Sequence, residues 1–359
     1  MTYRAALIGL GEIGSLYAEE SWRGSPSTHT EAFEAVDTTD LAAACDISEQ
    51  RREAFSQARP DVPVFATAGE MMAEASPDIV AIATPHATHP ELVETCAEGG
   101  VKGLIIEKPL ATDLAGGDRI ISACEKHGVV ASVSYLRRWD ANFRELKRII
   151  EAGEMGDLVY MRGHMSRFKP YGWQADARMS GGFLAYDPTH LIDLYLWLGG
   201  PAERVQASVE RRDETLDVED CVLANIGFEN GARAHLEADA YRDYFELSID
   251  VQMSAGRFEY HRDHTGSAFR IYEPVAVDEK WSFMQQGQWE LRESSPLQVQ
   301  QIAELVSCIE NGQEPTVTLR QARDVVELTL AIYESGLRTE PVTLPLGRKD
   351  NPLLQMLDL

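Results

Sequence analysis

The stretch LIGLGEIG, residues 7–14, overlaps the end of the apolar run YRAALI (3–8) and carries Gly9, Gly11 and Gly14. A GxGxxG pattern directly after a strand and ahead of a helical stretch reads as the turn of a dinucleotide-binding unit. Glycine permits a tight turn and close approach of the backbone to a pyrophosphate, and the next helix turns its N-terminus toward the phosphates. Gly9, Gly11, Glu12, Ile13 and Gly14 are therefore candidate cofactor contacts.

Outward from that turn the chain alternates. YRAALIGL, TDLAAACD, DIVAIATP, GLIIEKP and VVASVSY are short apolar runs, with helical stretches at 12–20, 48–58, 88–98 and 112–127 between them. Continuous apolar strands alternating with helices predict a parallel sheet covered on both faces, hence an α/β Rossmann domain over residues 1–130. The second half differs. It reads as a helix near 139–152, a strand near 157–168, a polar and aromatic loop, an apolar helical segment closed by Gly199-Gly200-Pro201, several longer strands over 203–273, and helices near 297–311 and 319–337. FENGAR (228–233) has the Asn-Gly of a hairpin turn. An α+β domain with an antiparallel sheet is expected over 131–345, followed by a tail, 346–359, whose apolar residues suit docking on a neighbouring subunit.

The 359 residues suit two domains, and 44% hydrophobic content suits real cores. The net charge of −25, without a basic stripe, makes nucleic acid and anionic membranes poor partners. No run of about 18 apolar residues predicts a membrane span, and the N-terminus enters a strand without a signal-peptide pattern. Cys45, Cys96, Cys124, Cys221 and Cys308 are odd in number and widely spaced in apolar segments. That pattern predicts buried, reduced thiols in a cytoplasmic protein and no metal site.

Asp46 closes the second strand, where an acid can take both ribose hydroxyls of NAD and repel the 2′-phosphate of NADP. It could equally cap the helix that follows. Its distance from Gly14 is longer than usual, and the loop at 21–30 accounts for the excess. Arg51 or Arg52 offers a cation for a phosphate. Thr84, Pro85 and His89 sit at another strand end, the ligand side of such sheets. There the alternative is a Thr88 helix cap beside an exposed His89. Val101–Ile106 runs into Glu107-Lys108-Pro109. A partly desolvated lysine there could exchange a proton with a substrate hydroxyl, or simply form a surface ion pair. In SGGFLAYDPTHLIDLYLW (180–197), helical spacing puts Tyr186 or Asp187 on one face with His190, an arrangement for proton transfer. The alternative is a hydrogen-bonded core histidine. Pro188 favours a first turn, so the helix could begin near Asp187 with 183–186 extended. Arg167 and Trp173, with Trp139, Lys169, Tyr171 and Arg178, flank these segments as candidate contacts to a sugar-like ligand or as packing residues.

The glycine turn, the EKP of 107–109 and the GG-containing segment leading into HLIDLYLWL together resemble the Gfo/Idh/MocA family of oxidoreductases. SYLRRWDANFRELKRIIEAGEMGDLVYMRGH (134–164) is similar to the family's segment after the Rossmann domain, and LTLAIYESGLRTEPVTLPL (328–346) to its closing stretch. The resemblance covers essentially the whole chain. It implies a C-terminal domain with a large open, mainly antiparallel sheet that serves as a homodimer or homotetramer surface. It also implies NAD(P)-linked oxidation or reduction of a sugar, inositol or related polyol.

On the same resemblance, Lys108 contacts cofactor and substrate, and His190 is the acid/base. The family's aspartate four residues before that histidine is replaced by Tyr186, so either Asp187 or Tyr186 takes its place. The cofactor set becomes Gly9, Gly11, Glu12, Ile13, Gly14, Asp46, Thr84, Pro85, His89, Glu107 and Lys108. The substrate set becomes Arg167, Trp173, Asp187 and His190. NAD is expected over NADP. An NAD-dependent glycoside hydrolase without net redox change, and a cofactor-binding regulator, are the alternative functions.

Overall fold

The computed structural model describes residues 2–19, 25–263 and 266–359. The chain forms two compact units, Met1–Trp139 with Ser294–Arg323, and Asp140–Glu293 with Asp324–Leu359. The first holds a parallel sheet of β1 (Tyr3–Ile8), β2 (Thr39–Cys45), β3 (Val64–Phe65), β4 (Ile79–Ile82), β5 (Gly103–Ile106) and β6 (Val130–Val133), in the order β3-β2-β1-β4-β5-β6. The order reverses between β1 and β4, which opens a crevice at their carboxyl ends. β4 and β5 are buried along their whole length. Their unbroken apolar sequence is the signature of strands covered on both faces. Part of that cover comes from far along the chain: helix Leu297–Asn311 packs on β5 and β6. A β-carbon on Gly103 would lie 2.7 Å from Ile309 Cδ1, so the glycine in that apolar run admits the helix. Trp139 is core in this unit, its Nε1 donating to Glu304 Oε2 at 3.1 Å.

Helices Glu49–Ala58, His89–Glu98 and Leu114–His127 stand where the sequence predicts them. The helix expected over 12–20 does not form in its described part. Residues 12–15 are turns and Leu16–Glu19 is a short 3-10 helix. The regular helix is His29–Ala35, with the side chain of Thr28 accepting from the Glu31 amide. The amides of His29 and Thr30 donate to the carbonyls of Ile13 (3.0 Å) and Gly14 (3.1 Å). The helix therefore takes over directly from the glycine turn, and 15–28 is an insertion between them. Residues 21–24 of the loop expected at 21–30 lie outside the described residues, and His29 and Thr30 belong to the helix.

The second unit holds a nine-stranded sheet of β7 (Leu158–Ser166), β8 (Ala202–Glu210), β9 (Cys221–Phe228), β10 (Arg233–Asp239), β11 (Glu246–Met253), β12 (Gly256–Asp263), β13 (Gly266–Ala276), β14 (Ser282–Gln286) and β15 (Val342–Thr343). Its order is β14-β13-β12-β11-β7-β10-β9-β8-β15. Every pairing is antiparallel except β7 with β10. β11 alternates buried and half-buried residues, as a strand with one covered face does. Helix Thr189–Gly199 lies on β7. A β-carbon on Gly163 would come within 2.3 Å of the Tyr195 hydroxyl, so glycine sets the close approach, and that hydroxyl donates to the His235 carbonyl at 2.7 Å. The FENGAR hairpin forms, with Gly231 at φ +88° and Asn230 Oδ1 accepting from the Ala232 amide.

The tail does not stand apart. Within this unit Leu353 is fully buried and Asn351 Nδ2 donates to the Gly181 carbonyl at 3.0 Å, while Leu354, Met356 and Leu359 are half-buried. All five cysteines are free and buried. Among the described residues no helix is long and apolar enough to cross a membrane.

Candidate active site

In the first unit the glycine turn leaves no room for side chains at Gly9 and Gly14. Gly9 has φ +100°, and a β-carbon there would lie 2.5 Å from the Ala83 carbonyl oxygen; one on Gly14 would lie 2.0 Å from the Gly9 oxygen. The turn is tied to the end of β2 by Asp46, which is 5% exposed. Asp46 Oδ2 accepts from the Leu10 amide and Oδ1 from the Ser48 amide, both at 2.8 Å. The helix cap is Ser48, not Asp46. Arg52 is spent on the carbonyls of Asp46 and Ile47, whereas half-exposed Arg51 reaches Asp46 Oδ2 at 3.6 Å. Arg51 is thus a half-exposed cation beside Asp46.

Past β4, Thr84 Oγ1 and Thr88 Oγ1 pair at 2.7 Å, and Thr88 donates to the Pro85 carbonyl instead of capping the helix. His89 is fully buried. Its Nδ1 lies 3.2 Å from the Leu110 carbonyl and its Nε2 3.1 Å from that of Thr84, so the ring links the loops after β4 and β5. Burial pulls this imidazole below its ordinary pKa. Glu107, at the end of β5, points inward. Its Oε1 meets His29 Nε2 at 2.8 Å and its Oε2 accepts from the Lys108 amide at 3.3 Å. Burial alone would raise this carboxyl; the facing His29, with Lys108 and Ser134, leaves it below the ordinary carboxylate range. Lys108 follows, half-buried, at the carboxyl end of its strand.

In the second unit Arg167 follows β7, 5% exposed, its amide donating to the Asp239 carbonyl at 3.1 Å. Its Nη1 pairs with Asp187 Oδ2, and its guanidinium stands 4.7 Å from the centre of the Tyr186 ring. Trp173 meets that ring edge-on at 5.6 Å. Arg167, Trp173, Tyr186 and Asp187 thus converge. The chain does not run extended before Pro188: Phe183–Tyr186 is one helical turn, Asp187 and Pro188 keep helical dihedrals, and helix Thr189–Gly199 begins immediately. His190 lies in its first turn, half-buried, its amide donating to the Asp187 carbonyl at 3.1 Å. Lys169 is held away by Asp213 and Thr215, the latter at 2.7 Å.

Two partners carry no sequence signal. Gln174, almost fully buried, donates through Nε2 to the Tyr186 hydroxyl at 3.0 Å. Glu219, fully buried, accepts from the amides of Phe183 (3.2 Å) and Leu184 (2.7 Å). Those donors are the unsatisfied start of the turn that carries Tyr186.

Comparison with known proteins follows the same two halves. Residues 3–135 match the model of the oxidoreductase family with an NAD-binding Rossmann fold, and residues 143–259 that of the GFO/IDH/MocA C-terminal domain. D-apiose dehydrogenase of Paraburkholderia graminis is 26% identical over 358 residues, covering 95% of this chain and 90% of its own. The scyllo-inositol 2-dehydrogenase (NAD(+)) of Bacillus subtilis is 26% identical over 355 residues, covering 96% and 97%. Among solved structures, the WlbA dehydrogenase from Bordetella pertussis in complex with NADH and UDP-GlcNAcA shares the fold. Its TM-score is 0.78 at 23% identity, over 96% of this chain and 100% of that one.

Proposed function

The chain belongs to the Gfo/Idh/MocA family of oxidoreductases, and from that premise we propose that it is an NAD-dependent dehydrogenase or reductase of a sugar, inositol or related polyol. The observation that carries the reading is the grouping, in one unit, of a glycine turn without room for a β-carbon at Gly9 or Gly14, Asp46 at the end of β2, and Lys108 at the end of β5. That cradle fits a dinucleotide. Bound NAD would supply the two-electron acceptor; the chain supplies orientation and proton handling. Asp46 takes the ribose hydroxyls. Lys108 and His190 are assigned to the substrate hydroxyl, His190 removing its proton as the hydride leaves the same carbon. Asp187, oriented by Arg167, takes the place of the family aspartate, and Tyr186 with Trp173 offers an aromatic wall to a sugar ring. The relatives named as dehydrogenases of apiose and scyllo-inositol support this substrate class. A homodimer or homotetramer belongs to the same reading, and light scattering giving the mass of one copy would remove it.

Incubating the protein with NAD and a panel of sugars, inositols, sugar acids and glycosides, and following NADH absorbance, tests the reaction. NADH formed with one substrate class supports the dehydrogenase. Sugar released from a glycoside without NADH would replace it with the hydrolase. Cofactor choice tests Asp46. NAD is expected to be preferred to NADP, and Asp46→Asn, which keeps an acceptor for one amide but no charge, to narrow that preference by about tenfold or more. Arg51→Ala should weaken NADP alone. Equal use of both cofactors by the unaltered chain would contradict the role given to Asp46.

A further inference from the structure

Gly181 closes helix Ala177–Ser180 at φ +82°, and Gly182 precedes Phe183 at φ +112°, conformations that strain any other residue. The turn is gripped within the second unit. A β-carbon on Gly182 would lie 2.2 Å from the Tyr333 hydroxyl, 2.6 Å from Leu353 Cδ2 and 2.8 Å from Glu219 Oε2. Tyr333 comes from helix Leu319–Arg338, Glu219 from the residues before β9, and Leu353 from the tail. Glu219 Oε1 accepts both the Leu184 amide and the Tyr333 hydroxyl (2.6 Å), while Oε2 accepts the Phe183 amide.

We propose that Glu219 is a positioning residue of the reaction: its carboxylate pins the start of the segment 183–190 and thereby sets where Tyr186, Asp187 and His190 stand. The inference rests on the dehydrogenase reading for what those side chains do, and on geometry alone for how they are held. Three donors face one carboxylate, and only the ionised form accepts all three without adding a donor of its own. Burial pushes Glu219 from its ordinary 4.5 up to about 7, against the pull of those donors. Tyr333, raised well above its ordinary value by burial, remains a donor. A carboxyl raised in the fold stabilises it below its unfolded pKa, and that contribution is lost as pH rises through about 7. Near pH 8 the ionised group therefore costs global stability while holding the turn.

Glu219→Gln keeps the shape but turns an NH2 toward a backbone donor. Its kcat is expected to fall by about 10- to 100-fold, the cost of misplacing a reacting group by roughly 1 Å, with NAD affinity unchanged and thermal stability at pH 8 no lower. On acidification the unaltered protein should lose activity with a component near 7 from Glu219 that Glu219→Gln lacks, while the limb set by the base that takes the substrate proton stays in both. Hydrogen exchange at the Phe183 and Leu184 amides should quicken in the variant while the sheet stays protected. Tyr333→Phe, which removes one donor, should give an intermediate loss, and it carries the test if Glu219→Gln does not fold. Unchanged exchange at 183 and 184 with unchanged kcat in either variant overturns the proposal. Because exchange is read without substrate, a chain inert toward every substrate would remove the dehydrogenase reading while faster exchange still upheld the clamp.

Discussion

Replacing Lys108 by alanine is expected to leave a folded protein that binds NAD but turns over substrate about 10²- to 10⁴-fold more slowly, the usual contribution of a positioned acid or base. The fold loses one of the charges that hold the buried Glu107 carboxyl low, but the larger one, the facing His29, stays. Lys108 stands beyond the end of β5, and what fixes its backbone is the Glu107 carboxylate, held from behind by buried His29. The side chain that is lost belongs to no core. Thermal unfolding should therefore change little, and NAD binding should weaken far less than kcat falls. His190→Ala should lose a similar amount. The double variant is the sharper measurement: groups that act as one unit lose little more together than the worse one alone. A double loss equal to the product of the single losses would mean that the two residues serve different steps.

The parts legible in the sequence are those whose cause is local. Five strands of the first sheet stand out as short apolar runs, unbroken in β4 and β5, which are buried along their whole length, whereas β3, with two residues, has no pattern to read. Asp46 and Lys108 are found by counting from a strand end, since in a parallel sheet the ends on one side share an edge. The helix expected at 12–20 fails for a physical reason. Helical spacing after Gly14 looks the same whether or not the chain detours, and only the bonds from the amides of residues 29 and 30 to the glycine turn show where the helix resumes. Return of residues 294–323 to the first unit is equally silent. So are the supports of the second unit's site: Glu219 meets Leu184 across 35 positions and Tyr333 across 114, and Asn351 meets Gly181 across 170. Such bonds depend on how elements pack, and no short window of residues encodes them.

Gly14→Ala is expected to cost cofactor binding heavily. The added carbon would sit 2.0 Å from the Gly9 carbonyl oxygen, a backbone atom with no rotamer to escape into. Gly9 has little room to yield, because the side of its α-carbon where a β-carbon would stand faces the Ala83 carbonyl, and its amide is bonded to the Cys45 carbonyl at 2.8 Å. The whole turn must open, taking with it the amides of His29 and Thr30, which bond to Ile13 and Gly14. Overpacking of this kind costs about 1–3 kcal/mol. If it falls on the bound state it weakens NAD by roughly 5- to 150-fold. If it falls on the fold, the melting temperature drops instead, and measuring both separates the two. Gly69→Ala is the control. Gly69 lies in helix Ala68–Ala75 with nothing within 4 Å of the new carbon, so the same methyl should stabilise the protein by about 0.4–1 kcal/mol. Unaltered NAD affinity and melting temperature in Gly14→Ala would show that the turn tolerates a side chain, and the dinucleotide reading of LIGLGEIG would lose its geometric basis.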